Sequence, residues 1–203
     1  EKLMRLILTT IAFILIASPI LIASPILIAS PGWAETESPD HAVIAPPSCS
    51  NNLGESVLFK ERNSDNAKFA AGMARRDGDG NPVVNRFNFD QAPAPLQAFI
   101  DLHECAHHQT GDIDRPHPPR NSPEHLMNES IADCIAILRI RDDARYSDID
   151  FADVATSLGE AMGTAGFPEI SISSRVSNIR HCHTNYASAA TFVDGVLTER
   201  GLK

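Results

Sequence analysis

The run Leu102-His103-Glu104-Cys105-Ala106-His107-His108 constrains this chain more than any other stretch, because it contains H-E-x-x-H. Histidines four apart on a helix stand on one face, one turn apart. On a wheel of about 100° per residue, His107 falls about 40° from His103, and Phe99 and Ile100 flank the pair. Leu102 and Cys105 occupy the other side, so the helix expected from about Leu96 to His108 is apolar over much of its circumference and predicts burial. Two imidazoles and a carboxylate in a buried helix need polar partners or a metal ion. The spacing suits two imidazoles on one zinc, with the intervening glutamate left to act on water.

A second motif strengthens this reading. Met127-Asn128-Glu129-Ser130-Ile131-Ala132-Asp133 lies in a helical stretch that opens at Ser122-Pro123, a capping hydroxyl before proline at the first helical position. Glu129 and Asp133 share one face of that helix, which is expected to run to about Asp142. His103, His107 and Glu129 are the expected ligands of Zn2+, and three protein ligands with an open position describe a catalytic site. Glu104 lies too far round the helix to be a fourth ligand and is the expected general base. Asp133 is the expected acceptor of an imidazole N–H, fixing the ring that holds the metal. Candidate donors to a developing oxyanion are His108, His181, His183 and Tyr186. His117 and His125 lie beside the loop between the motif helices; they could touch substrate, but surface residues are the favoured reading.

The pair H-E-x-x-H and N-E-x-x-A-D resembles the gluzincin metallopeptidases, in which a downstream glutamate completes the zinc site. The resemblance covers Phe99 to Ile137 and implies the same ligands, base and orienting aspartate. The chain also resembles small exported bacterial proteins that carry a His-Glu-Cys-x-His-His motif and a later Ala-Asp-Cys. A metzincin pattern would need its glycine and third histidine at Thr110 and Ile113, and fails. The implied fold is α+β: a mainly helical zincin-like domain with a small N-terminal β-hairpin or sheet packed on the H-E-x-x-H helix. The implied activity is hydrolysis of a peptide or protein substrate. The alternative is a catalytically silent zinc-binding envelope protein that acts through protein contacts.

The rest of the chain places these motifs. Ile-Leu-Ile-Ala-Ser-Pro occurs in tandem at 14–19, 20–25 and 26–31, after Met4 and Arg5 and before Gly32-Trp33-Ala34. This reads as a signal peptide over 1–34 with an expanded apolar core, cleaved after Ala34 and destined for the periplasm or secretion. The uncharged stretch from Leu6 to Ser30 is also long enough to remain as a membrane anchor. Contact with a membrane is expected only in that case. Residues 35–55 read as a loose leader and 56–203 as one domain.

The net charge is −9, and about −10 once residues 1–34 are removed, since only Lys2, Arg5 and Glu1 go with them. That acidity, without a Lys/Arg cluster, argues against nucleic acid as a partner. Strands are expected over Ser56 to Lys60 and Pro82 to Phe89. The second should pair with the segment before the turn Asp77-Gly78-Asp79-Gly80-Asn81. Further helices are expected at Asp150 to Met162, Ser174 to His181 and Ser188 to Arg200. Four cysteines allow three disulfide pairings. Cys105–Cys134 with Cys49–Cys182 is the favoured set; the alternative is that Cys105 and Cys134 are small buried residues on core faces.

Overall fold

The chain builds its sheet around a tight turn. Asp77 Oδ1 accepts from the backbone N–H of Asp79 and Asn81 at 3.1 and 3.0 Å. Gly80 takes φ +84°, a conformation open to residues without a Cβ. The turn joins β2 (Ala71–Arg76) to β3 (Pro82–Phe87) as an antiparallel hairpin. β1 (Leu58–Arg62) then pairs parallel to β3, so the order is β1-β3-β2 and β3 is central. Val83 and Val84 are both fully buried, which explains the imperfect alternation of this strand: its two faces are covered.

The structure, a computed structural model, describes residues 41–62 and 69–203. They belong to one compact unit, Glu37–Lys203. The triple repeat, the expected cleavage point and the alternative anchor lie outside the described residues. No helix among the described residues is long and apolar enough to cross a membrane.

Five α-helices follow the sheet: α1 (Ala94–Gln109), α2 (Pro123–Asp142), α3 (Phe151–Thr164), α4 (Glu169–Asn185) and α5 (Ala189–Glu199). The α+β class and the N-terminal sheet packed on α1 are as the sequence predicts. α1 runs through the interior. Leu96, Phe99 and Leu102 meet Ile137 and Ile140 of α2, Val154 and Leu158 of α3 and Ile179 of α4. On its other side Cys105 packs with Val57 and Val84 beneath the sheet. Arg86 of β3 fastens sheet to helix. Its buried guanidinium donates to both oxygens of Asp101 on α1 at 3.0 and 3.1 Å, to the Ile44 carbonyl at 2.8 Å, and touches Glu61.

Two expectations need correction. The described part of the leader, residues 41–55, has little regular structure but is tied down. Ile44 N–H donates to Gln97 Oε1 at 2.9 Å, and Cys49 is disulfide-bonded to Cys105. The second disulfide is Cys134–Cys182, so neither Cys105–Cys134 nor Cys49–Cys182 forms. The reason is angular. Cys105 stands about 160° round α1 from His103, so it faces the sheet and the N-terminal segment, while the histidine face turns to α2. Cys134 follows Asp133 by about 100° on α2 and meets α4, which carries Cys182.

Non-reducing peptide mapping is expected to recover the linked pairs Cys49–Cys105 and Cys134–Cys182 only. Replacing Cys49 and Cys105 together by alanine is expected to lower stability by about 2–5 kcal/mol in denaturant titration, because the bridge closes a loop of more than fifty residues.

Candidate metal centre

α1 and α2 pack against each other, and each contributes residues one turn apart. Ser122 caps α2, its Oγ accepting from the His125 N–H at 3.2 Å, with Pro123 in the first turn. That start places Glu129 and Asp133 on the face turned to α1. His103 and His107 are buried and Glu129 is half-buried. His103 Nε2 lies 3.2 Å from His107 Nε2 and 3.4 Å from Glu129 Oε2, while His107 Nε2 lies 3.6 Å from Glu129 Oε1. The three residues form a group whose ligand atoms all lie within 4.8 Å of one another.

Hydrogen bonding on the far side of each ring decides what this group needs. His103 Nδ1 donates to Asp133 Oδ1 at 2.8 Å, and His107 Nδ1 donates to Asp112 Oδ2 at 3.0 Å. A carboxylate only accepts, so both Nδ1 atoms carry hydrogen and both neutral rings present bare Nε2 lone pairs to each other. Two lone pairs and a carboxylate converging at these distances require a cation between them. Ligands about 2.0–2.1 Å from a tetrahedral zinc would stand about 3.4 Å apart, so the donor set and its spacing fit a divalent ion.

Without a metal, a proton serves as that cation. Burial alone would lower the His103 pKa, but its bonds to Asp133 and Glu129 raise it to about 10. Burial pushes the Glu129 carboxyl up, yet contact with His103 and the nearby charges of His107 and Arg175 hold it down at about 2. Burial likewise opposes ionisation of Asp133. Arg175 and His103 outweigh it and keep the carboxyl below its usual range.

Each orienting carboxylate is in turn held by an arginine. Arg175 of α4 donates Nε and Nη2 to the two oxygens of Asp133, both at 2.7 Å. Arg200, just past α5, donates Nη1 to Asp112 Oδ1 at 2.5 Å. Asp112, Arg175 and Arg200 are absent from the sequence reading. Asp112 could have been sought, since it follows His107 by five residues just beyond Gly111, whose φ of +74° ends α1. The arginines lie 42 and 88 residues from the acids they hold and leave no local signal.

Glu104 is held against the sheet. Its Oε2 accepts the Ala74 N–H at 2.7 Å, and its Oε1 has no partner among the described residues. A Cβ at Gly72 would collide with Glu104 Cγ and come within 2.8 Å of Ile100 Cγ2, so glycine there makes room for the Glu104 side chain.

Gly72, His103, Glu104 and Glu129 line both of two adjoining cavities. One, about 200 Å3, is apolar, walled by Phe69, Leu96, Phe99, Leu158, Met162 and Phe167, with Arg175 at its margin. The other, about 220 Å3, is more polar and includes Asp112, His117, His125 and Asn128.

The remaining candidates lie elsewhere. His108 is buried on another side of α1, where its Nε2 bonds the Val83 carbonyl at 3.0 Å. His181, His183 and Tyr186 sit at the C-terminal end of α4. His181 pairs with Asn185, His183 packs on Phe151, and Tyr186 packs on Phe192. None of these four lines either cavity.

Because a proton occupies His103 near neutral pH, uptake of a divalent ion at pH 7 is expected to release about one proton per ion. Affinity is expected to rise with pH until His103 deprotonates near its pKa of about 10. Calorimetry of the full chain in buffers of different ionisation enthalpy measures the release. His103→Ala is expected to abolish it together with binding.

No family model, no curated protein and no solved structure matches this chain.

Proposed function

We propose that this protein is an exported zinc-dependent peptidase of gluzincin type, with a zincin-like arrangement of helix and sheet. The observation that carries the reading is the junction of the two cavities. There three metal-binding side chains and a carboxylate, Glu104, meet beside the edge of a β-sheet. The two disulfides are compatible with export.

An ion held by His103, His107 and Glu129 would act as a Lewis acid and make water nucleophilic near neutral pH. Every other part of the chemistry falls to the chain. Glu104 receives the proton of the attacking water at Oε1 and passes it to the leaving amine. Its Oε2 stays fixed on the Ala74 N–H, so the carboxylate does not have to be ordered in the reaction. Asp133 and Asp112 keep both rings in the tautomer that leaves Nε2 bare. Arg175 has Nη1 without a partner among the described residues, and it stands at the margin of the apolar cavity. It supplies a donor to a carbonyl oxygen of the bound chain, the task first expected of His108, His181, His183 or Tyr186.

The substrate lies along β2. This strand is paired only to β3 among the described residues. The Ala74 N–H turns away from β3 to Glu104, and strand alternation puts the peptide groups of Gly72 on the same edge. An extended peptide can pair with such an edge through the peptide groups of Gly72, which leaves the Ala74 N–H with Glu104. Its side chains on either side of the scissile bond then enter the apolar and the polar cavity.

Glu104→Gln is expected to keep one zinc per chain while turnover of a peptide library falls by about 10²–10⁴; undiminished turnover overturns the assigned base. Gly72→Ala is expected to retain zinc as well, but to lower turnover at least tenfold by displacing the Glu104 carboxylate, a loss of about 1.4 kcal/mol in transition-state stabilisation.

A further inference from the structure

Arg200 touches neither cavity, yet it joins the supports of two proposed ligands. Its Nη1 donates to the Thr110 carbonyl at 2.7 Å and to Asp112 Oδ1 at 2.5 Å. Its Nη2 donates to Asn128 Oδ1 at 2.8 Å. The other oxygen of Asp112 accepts from His107 Nδ1 and from Thr110 Oγ1, both at 3.0 Å. Asn128 immediately precedes Glu129. One guanidinium therefore spans from the acid that orients His107 to the residue beside Glu129.

The span crosses a break in the chain path. His107 belongs to α1 and Glu129 to α2, and thirteen residues separate the two helices. The planar fork of arginine fixes two acceptors at a set separation, which a lysine cannot do. The clamp is itself anchored. Arg200 N–H donates to the Val196 carbonyl at 3.0 Å, and Leu202 lies over Gly111, where a Cβ would stand 2.9 Å from Leu202 Cδ1. The Arg200 and Asp112 side chains are only 10% and 7% exposed, so solvent does little to weaken the pair.

We infer that Arg200 is a positioning residue of the metal centre, holding His107 and Glu129 at the separation that lets both reach one divalent cation. The inference rests on the reading that His103, His107 and Glu129 bind a metal. It adds that the α5 end of the chain, remote in sequence, sets the geometry of that site.

The test uses the full chain with Zn2+ in competition against a chromophoric chelator, and Co2+ absorption as a report on ligand geometry. Arg200→Ala is expected to weaken Zn2+ binding about tenfold and to shift the Co2+ visible band. Arg200→Lys keeps the charge at Asp112 but loses the reach to Asn128, so it restores part of the affinity. Asn128→Ala cuts only the arm towards Glu129 and is expected to weaken binding about threefold with a smaller change in the band.

Melting of the metal-free variants separates positioning from plain stability. Lowered melting temperatures with wild-type affinity and an unchanged Co2+ band overturn the inference. Should Arg200→Ala fail to fold, wild-type affinity and spectrum in both Arg200→Lys and Asn128→Ala overturn it equally. A wild-type chain that binds neither ion overturns the metal reading itself, and this inference with it.

Discussion

Burying a polar helix is the constraint on which this structure turns. α1 carries Gln97, Asp101, His103, His107 and His108 into the interior, and each would be costly there without a partner. Every one has a partner. Gln97 binds the segment at 42–44 and the Ala92 carbonyl. Asp101 has Arg86 of the central strand, and His108 has the Val83 carbonyl. His103 and His107 have Asp133 and Asp112. The sheet, α2, the N-terminal segment and the loop after α1 are thus arranged around the needs of one helix. The Cys49–Cys105 bridge adds a covalent tie to that same helix.

The two histidines receive parallel treatment. Each ring is oriented by a carboxylate, and each carboxylate is neutralised by an arginine from the C-terminal third of the chain. A buried carboxylate alone would tend to take up a proton, and a protonated acid would lose its preference for the imidazole N–H. Burial pushes both carboxyls up, but His107 with Arg200 at Asp112, and Arg175 with His103 at Asp133, hold them below the usual range, at the cost of burying two further charges. Such pairs add little net stability, so their value lies in fixing atoms in place. α4 and α5 look peripheral to the motif helices by sequence, yet each delivers one of these cations.

How much of this could be read from the sequence follows from how local each signal is. The turn at Asp77–Asn81 and the Ser122-Pro123 start of α2 are contained within a few residues, and both stand where expected. The histidines, Glu129 and Asp133 are set by helical periodicity, and the structure brings them together. The disulfide partners depend on which way a cysteine faces once helices are packed, so the favoured pairing was wrong on both bridges. Asp112, Arg175 and Arg200 act across long separations with no periodic signature. His181 and His183 are candidate oxyanion donors by residue type alone. Packing gives Cys182 to a bridge and leaves His183 on Phe151, both apart from the two cavities.

The margin of β2 that no described residue pairs with carries a hazard of its own. A row of free backbone donors and acceptors will accept any strand, including the same strand from another copy. Several features of β2 make such self-association unfavourable. The strand is six residues long, Arg75 and Arg76 bring like charges together when two copies meet, and Gly72 offers no side chain to pack. Glu104 already occupies the Ala74 donor, which interrupts the ladder a second copy would need. The carboxylate that faces the site therefore also serves as a stopper against aggregation.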